Sequence, residues 1–179
     1  MQFEGAFRVP GRPEDVIVRF TDVERMARCM PGASIEGRDE EGNYLGAMTV
    51  AFGPKRIKFR GKMSCQFDIP GLRGTLRGRG AADLRAARIE VRTAFTVSPD
   101  TEAESGSPFS IVALTSEAEL QGVLADFART GGAALGNVIM EDFAKNLAAE
   151  LSGTASGDQT AGAISAHKVV WRAIKAKLT

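Results

Sequence analysis

Lys55-Arg56-Ile57-Lys58-Phe59-Arg60-Gly61-Lys62-Met63-Ser64-Cys65-Gln66-Phe67-Asp68-Ile69 carries two interleaved sets of residues. Ile57, Phe59, Met63, Cys65, Phe67 and Ile69 hold odd positions, and Arg56, Lys58, Arg60 and Lys62 hold even ones. Successive side chains of an extended chain point to opposite faces, so the stretch reads as a strand with an apolar face turned inward and a cationic face turned out.

The pattern continues on both sides. Leu72, Gly74, Leu76, Gly78 and Gly80 share one face of the next strand, and Ile89, Val91, Phe95 and Val97 share one face of the strand after it. Gly42-Asn43, Gly53-Pro54, the Asp68 to Gly71 segment and the loop from Ser98-Pro99-Asp100 through Pro108 are turn signals, and they divide residues 33–120 into six strands. A further strand opens the chain, where Phe3, Gly5, Phe7 and Val9 alternate with Gln2, Glu4 and Arg8 until Pro10-Gly11. Pro13 then suits the first turn of a short helix carrying Val16, Ile17 and Phe20, and a second begins at Asp22, runs through Val23, Met26 and Ala27, and is stopped by Pro31-Gly32.

At Gln121 the period changes. Val123, Leu124, Phe127, Leu135, Val138, Ile139, Phe143 and Leu147 recur at intervals of three and four, which predicts one long amphipathic helix to Leu151, with Gly131-Gly132 as the point where it bends or breaks. Residues 1–151 therefore read as an α+β domain: a curved antiparallel sheet of about seven strands wrapped around a long C-terminal helix, with two short helices after the first strand. Residues 152–162 are small and polar and read as a flexible linker, and residues 163–179 form a cationic segment of helix length.

Composition narrows the chemistry. The chain has 179 residues, 44% apolar and 25% charged, which excludes global disorder, collagen and a bare coiled coil. Its two cysteines, Cys29 and Cys65, make neither a disulfide framework nor a cysteine-rich metal site, so no metal is expected and a reducing compartment fits. The single histidine, His167, lies beyond the main domain, which removes the usual base of Ser-His-Asp and Cys-His catalysis. Glu4, Asp83, Glu90, Glu117 and Glu119 are scattered, and no pair is picked out for acid-base work. The first ten residues lack a signal-peptide core, and no run of 18 apolar residues occurs, so the expected location is the cytoplasm.

The order of elements resembles the helix-grip fold of the START and polyketide-cyclase-like superfamily. Phe3-Glu4-Gly5, Pro13 to Phe20, Cys29-Met30-Pro31-Gly32, Phe52-Gly53-Pro54 and Phe59-Arg60-Gly61-Lys62 carry a closer resemblance, to the CoxG-like family of carbon monoxide dehydrogenase G-subunits, over roughly residues 1–150. The resemblance implies a non-enzymatic accessory protein of a carbon monoxide dehydrogenase or other molybdenum-hydroxylase-type complex. It would bind a lipophilic ligand such as a quinone in an apolar cavity, with no covalent or metal cofactor, and recruit or couple the enzyme to the inner face of the cytoplasmic membrane. A cyclase or isomerase of the same superfamily, or an interaction module with a filled core, is the alternative.

Three inward glycines, Gly74, Gly78 and Gly80, either leave volume for a ligand or let backbones approach closely. Under the ligand reading the lining residues are Ile57, Phe59, Met63, Phe67, Leu76, Val91, Phe95, Phe127, Leu135 and Ile139, and Cys29, Met30, Pro31 and Gly32 stand at the cavity mouth. Without a histidine to activate it, Cys29 is read as an apolar filler.

The net charge of +1 conceals a geography. Residues 55–92 hold 11 Lys and Arg against 3 acids, residues 161–179 hold 4 against none, and the remainder holds 8 against 19. Arg56, Lys58, Arg60, Lys62, Arg73, Arg77, Arg79, Arg88 and Arg92 belong to an outer, basic sheet face, which is either a solvated surface or a site for an acidic protein or anionic lipid. Nucleic acid is not expected, because no aromatics interleave with these cations. In the last segment Val170, Trp171, Ile174 and Leu178 fall within one helical arc of about 100° beside Lys168, Arg172 and Lys175. Four cations near an anionic leaflet contribute about 4 kcal/mol, enough for reversible membrane attachment; a helix docking on a partner or on its own domain is the other reading.

Overall fold

The computed structural model describes residues 1–52, 55–82, 86–102, 108–125 and 132–153. The strands are β1 (Gln2–Pro10), β2 (Ala33–Arg38), β3 (Tyr44–Phe52), β4 (Lys55–Asp68), β5 (Arg73–Ala82), β6 (Arg88–Pro99) and β7 (Phe109–Gln121). They form one antiparallel sheet in the order β1-β7-β6-β5-β4-β3-β2. The helices are α1 (Pro13–Phe20), α2 (Val23–Cys29) and α3 (Gly132–Leu151), and α3 packs mainly on β1 and α2. This is the expected α+β helix-grip architecture.

Local chemistry explains the short helices. Pro13 lies in the first turn of α1, where its missing N–H costs nothing, and Val16, Ile17 and Phe20 form its buried face. Asp22 caps α2 by accepting a hydrogen bond from the Arg25 N–H at 3.1 Å. After Met30 the chain turns through Gly32, whose φ of +76° favours glycine and whose missing Cβ would strike the Thr49 carbonyl.

Two expectations need correction. Ile69 does not continue the inner face of β4: the Asp68 carboxylate accepts from the Gly71 N–H and from Arg73, the strand ends in that turn, and Ile69 is 43% exposed. The last helix does not begin at Gln121, which is the final residue of β7; Gly122 takes φ +70° against the Ala86 carbonyl, and a 3-10 turn follows over Gly122–Leu124. Val123 and Val138, counted in the apolar stripe, are 57% and 55% exposed.

The interior divides in two. The larger cluster joins Phe7 and Val9 of β1, α1, α2, and Phe95, Val97, Val112 and Leu114 of β6 and β7 to Met140, Phe143 and Leu147 of α3. The smaller one joins Val50, Ile57, Phe59, Ala87, Leu120 and Leu124, with Leu135 and Ile139 of α3 packed against it. Between them the inner face of β3, β4 and β5 carries a row of paired glycines, Gly46 to Gly61 and Gly61 to Gly80. The backbones close on one another here: a Cβ on Gly61 would collide with the Arg79 carbonyl.

Gly61→Ala is therefore expected to cost about 1–3 kcal/mol of stability, whereas Gly78→Ala, whose new methyl meets nothing within 4 Å, should stay within about 0.5 kcal/mol of wild type. Urea denaturation of the two variants checks the contrast.

Candidate functional site

The space between the two clusters is an apolar cavity of about 320 Å³, open on one side. Its floor is the glycine region, with Gly46, Gly61, Gly78 and Gly80 all in the lining. One wall is aromatic: Phe20 stacks on Phe95 with centroids 4.6 Å apart, Phe67 meets Phe95 edge-on at 6.4 Å, and Phe7 meets Phe143 at 6.0 Å. The other walls are rich in thioethers. Met26, Met30, Met48, Met63 and Met140 line the cavity, five of the six methionines in the chain. Unbranched and polarizable, methionine moulds to irregular apolar shapes at little cost.

The three inward glycines of β5 do different things. A Cβ on Gly74 would run into the Phe95 ring at 2.7 Å, so that glycine makes room for an aromatic side chain. Gly80 is tight against Ile89. Only Gly78 faces open space, and it is the one whose missing side chain leaves volume.

Of the residues singled out in the sequence, Phe59, Met63, Phe67, Leu76, Val91 and Phe95 line this cavity. Ile57, Leu135 and Ile139 lie instead in or against the smaller apolar cluster, and Phe127 falls outside the described residues. In the Cys-Met-Pro-Gly turn, Met30 reaches the lining while Cys29 is buried behind it in the larger cluster. The Asn146 side chain donates to the Cys29 carbonyl at 2.9 Å, and Arg25 pairs with Glu150, so the wall made by α2 is strapped to the last turns of α3.

The polar residues of the lining are Ser34, Tyr44, Thr93 and, flanking the glycines, Arg60, Lys62 and Arg79, whose strand positions belong to the outer face. Thr93 bonds Ser116 at 2.8 Å, and Tyr44, the only tyrosine in the chain, bonds Arg38. No carboxylate belongs to the lining among the described residues. Nor do any three His, Cys, Asp or Glu side chains gather there to hold a metal. A depression of about 570 Å³ lies on the opposite sheet face, between residues such as Glu4, Gln66, Thr75, Thr96 and Thr115.

That opposite face carries the cations. Arg56, Lys58, Arg60, Lys62, Arg73, Arg77 and Arg79 are all exposed, as are Arg88 and Arg92. Acids balance part of it: Glu90 lies 2.9 Å from Arg92 and 3.5 Å from Arg79, Asp68 lies 2.7 Å from Arg73, and Lys62 reaches Asp39 and Glu41. The hydrogen bond from Arg92, assisted by Arg79, holds the Glu90 carboxyl below its usual range. Among the described residues Arg56, Lys58, Arg60, Arg77 and Arg88 have no ion pair, and the first three stand in one row along β4. The linker from Thr154 and the segment with Lys168, Val170, Trp171, Arg172, Ile174, Lys175 and Leu178 lie outside the described residues. No helix among the described residues is long and apolar enough to cross a membrane.

A curved sheet gripping a helix over an apolar cavity defines a helix-grip protein, and solved structures agree on the fold. A conserved protein from Geobacillus kaustophilus superposes with a TM-score of 0.72 at 16% identity, covering 86% of this chain and 97% of that one. A START superfamily protein from Mycobacterium smegmatis gives 0.55 at 13%, covering 86% and 99%, and the Zhui aromatase/cyclase from Streptomyces sp. R1128 gives 0.54 at 13%, covering 86% and 93%. No curated protein matches it in sequence. Residues 5–152 match the carbon monoxide dehydrogenase G-subunit (CoxG) family, and the chain belongs to that family.

Burial pushes the Cys65 thiol up to about 11 and, with the nearby Glu150 carboxylate, raises Cys29 as well. Both should stay protonated at pH 8 and resist alkylation. Intact mass after iodoacetamide treatment is expected to show slow labelling of the native protein and rapid labelling in denaturant.

Proposed function

We propose that the protein is a non-enzymatic accessory component of a carbon monoxide dehydrogenase or related molybdenum-hydroxylase-type complex, and that it carries a lipophilic ligand of the quinone class in the cavity between its two apolar clusters. The observation that carries this reading is the lining itself: glycine floor, aromatic wall and five methionines, with no carboxylate among the described lining residues. About 300–1,000 Å³ is the usual volume of small-molecule sites, and this cavity of about 320 Å³ falls at the lower end. It suits a ring system or the start of a chain, with the remainder passing out through the open side.

Membership of the CoxG family supports the accessory role. The cyclase reading draws on neighbours such as the aromatase/cyclase, but general acid-base chemistry needs titratable groups at the reacting atoms, and the described lining offers no carboxylate for it. For the membrane, we infer reversible attachment at the inner face of the cytoplasmic membrane through residues 163–179. The support is their four cations, absence of acids, and Trp171 and Ile174 on one arc. The unpaired row Arg56, Lys58 and Arg60 would favour the same anionic surface, or an acidic face of the partner enzyme.

Organic extraction of the purified protein should recover a quinone or similar lipid, and Gly78→Leu, which fills open space on the floor, should lower the recovered amount at least severalfold without unfolding the protein. Full recovery with Gly78→Leu would move the ligand elsewhere. In flotation with phosphatidylglycerol-containing vesicles, the full chain should rise with lipid at low salt and a chain ending at Ser152 should not; equal flotation of both would refute the anchor.

A further inference from the structure

Among the polar residues of the cavity lining, Tyr44 has a partner that the backbone has been rearranged to supply. On β2, Ile35 pairs with Gly46 on the inner face, so strict alternation would place Gly37 on the inner face and Arg38 on the outer one. The β2–β3 register shifts between Ile35 and Gly37, however, and Arg38 pairs directly with Tyr44. One extra residue in a strand reverses the facing of everything after it. The bulge therefore brings a cation round to the inner face, beside the cavity-lining Tyr44.

Arg38 uses that position fully. Its guanidinium lies 4.3 Å from the centre of the Tyr44 ring, and Nη2 donates to the Tyr44 hydroxyl oxygen at 2.9 Å. Tyr44 is half-buried and lines the cavity, in the lateral row that runs through Met63 and Gly78 to Val91. With its oxygen accepting from Arg38, the hydroxyl keeps one proton to donate, and no described residue accepts it. Of the other hydroxyls of the lining, that of Thr93 is engaged with Ser116, and Ser34 pairs with Ala47 at an outward-facing position of β2.

We propose that Tyr44 is the polar reader of the cavity. It donates a hydrogen bond to an acceptor oxygen, a carbonyl or ether, at one end of an otherwise apolar ligand, and Arg38 is the positioning residue that fixes and polarises its hydroxyl. The ligand is thereby oriented, with its oxygen-bearing end beside β2 and β3 and its apolar part over Gly78 toward the aromatic wall. This deepens the carrier reading above and rests on it.

The test uses two probes on the full chain: diphenylhexatriene, a fluorescent hydrocarbon with no acceptor, bound directly, and decylubiquinone, which carries carbonyl and ether oxygens, measured by displacing it. Tyr44→Phe keeps the ring and removes only the hydroxyl. It should weaken decylubiquinone about three- to tenfold, the net worth of one hydrogen bond, and leave diphenylhexatriene unchanged. Arg38→Met should produce a smaller loss in the same direction, and Arg38→Lys should restore part of it. Equal losses for both probes would make Tyr44 a packing residue and overturn the proposal, as would unchanged decylubiquinone affinity with normal diphenylhexatriene binding, which would leave the carrier reading intact. Failure of the wild-type protein to bind either probe would overturn both.

Discussion

The centre of the inner sheet face has no side chains. Gly46, Gly61 and Gly80 lie in register across three strands, and a Cβ at Gly61 could not coexist with the Arg79 carbonyl. Protein interiors are normally filled to crystal-like density, and here the filling residues withdraw to either side, into a large cluster under the C-terminal half of α3 and a small one under its beginning. The aromatic wall, the methionines and the cavity between them all follow from that withdrawal. A void forfeits dispersion contacts, and the fold bears the loss because seven strands are paired over long registers on every side of it.

The other face is governed by electrostatics. Segment by segment the sequence places a strong positive excess on β4, β5 and β6, yet the sheet brings acids from its own turns and strands into range. Glu90 sits between Arg79 and Arg92, and the turn carrying Asp39 and Glu41 folds back to Lys62. What stays without an ion pair among the described residues is narrower than the count of cations suggests: the β4 row Arg56, Lys58 and Arg60, with Arg77 on β5 and Arg88 on β6. Exposed pairs of this kind contribute little to stability. Their effect is to shape where positive potential survives.

Much of the architecture was legible because alternation and helical spacing are local properties. Phe3 to Val9, Ile57 to Phe67 and Val91 to Val97 announce their inner faces without reference to the rest of the chain. The site was less legible, because a cavity is a relation between elements. Ile57 has the same character as Phe59 and sits on the same face, but it lies nearer the β3–β4 turn, under the start of α3, and is spent on packing. Leu135 and Ile139 pack against that same cluster. Glycine was ambiguous for a similar cause: Gly74, Gly78 and Gly80 look alike in sequence and differ only in whether a neighbour from another strand fills the gap. Tyr44 escaped notice because the bulge that gives it Arg38 as partner breaks the very periodicity used to read strands. The isolated Gly37 was the available signal, since a glycine within a strand pattern often marks a bulge.

The strap between α2 and α3 separates two quantities that are commonly taken together. Asn146 to the Cys29 carbonyl and Arg25 to Glu150 hold a cavity wall shut from behind, and neither pair contributes its bonded atoms to the lining. The shape of the cavity is set by the lining, whereas the seven-residue α2 is held in place by its buried Val23, Met26 and Cys29 together with these two contacts at the far end of α3. The shape of the cavity and the placement of its wall are thus encoded in different residues, and substitution at position 146 or 150 would loosen the wall while leaving every lining side chain as it is.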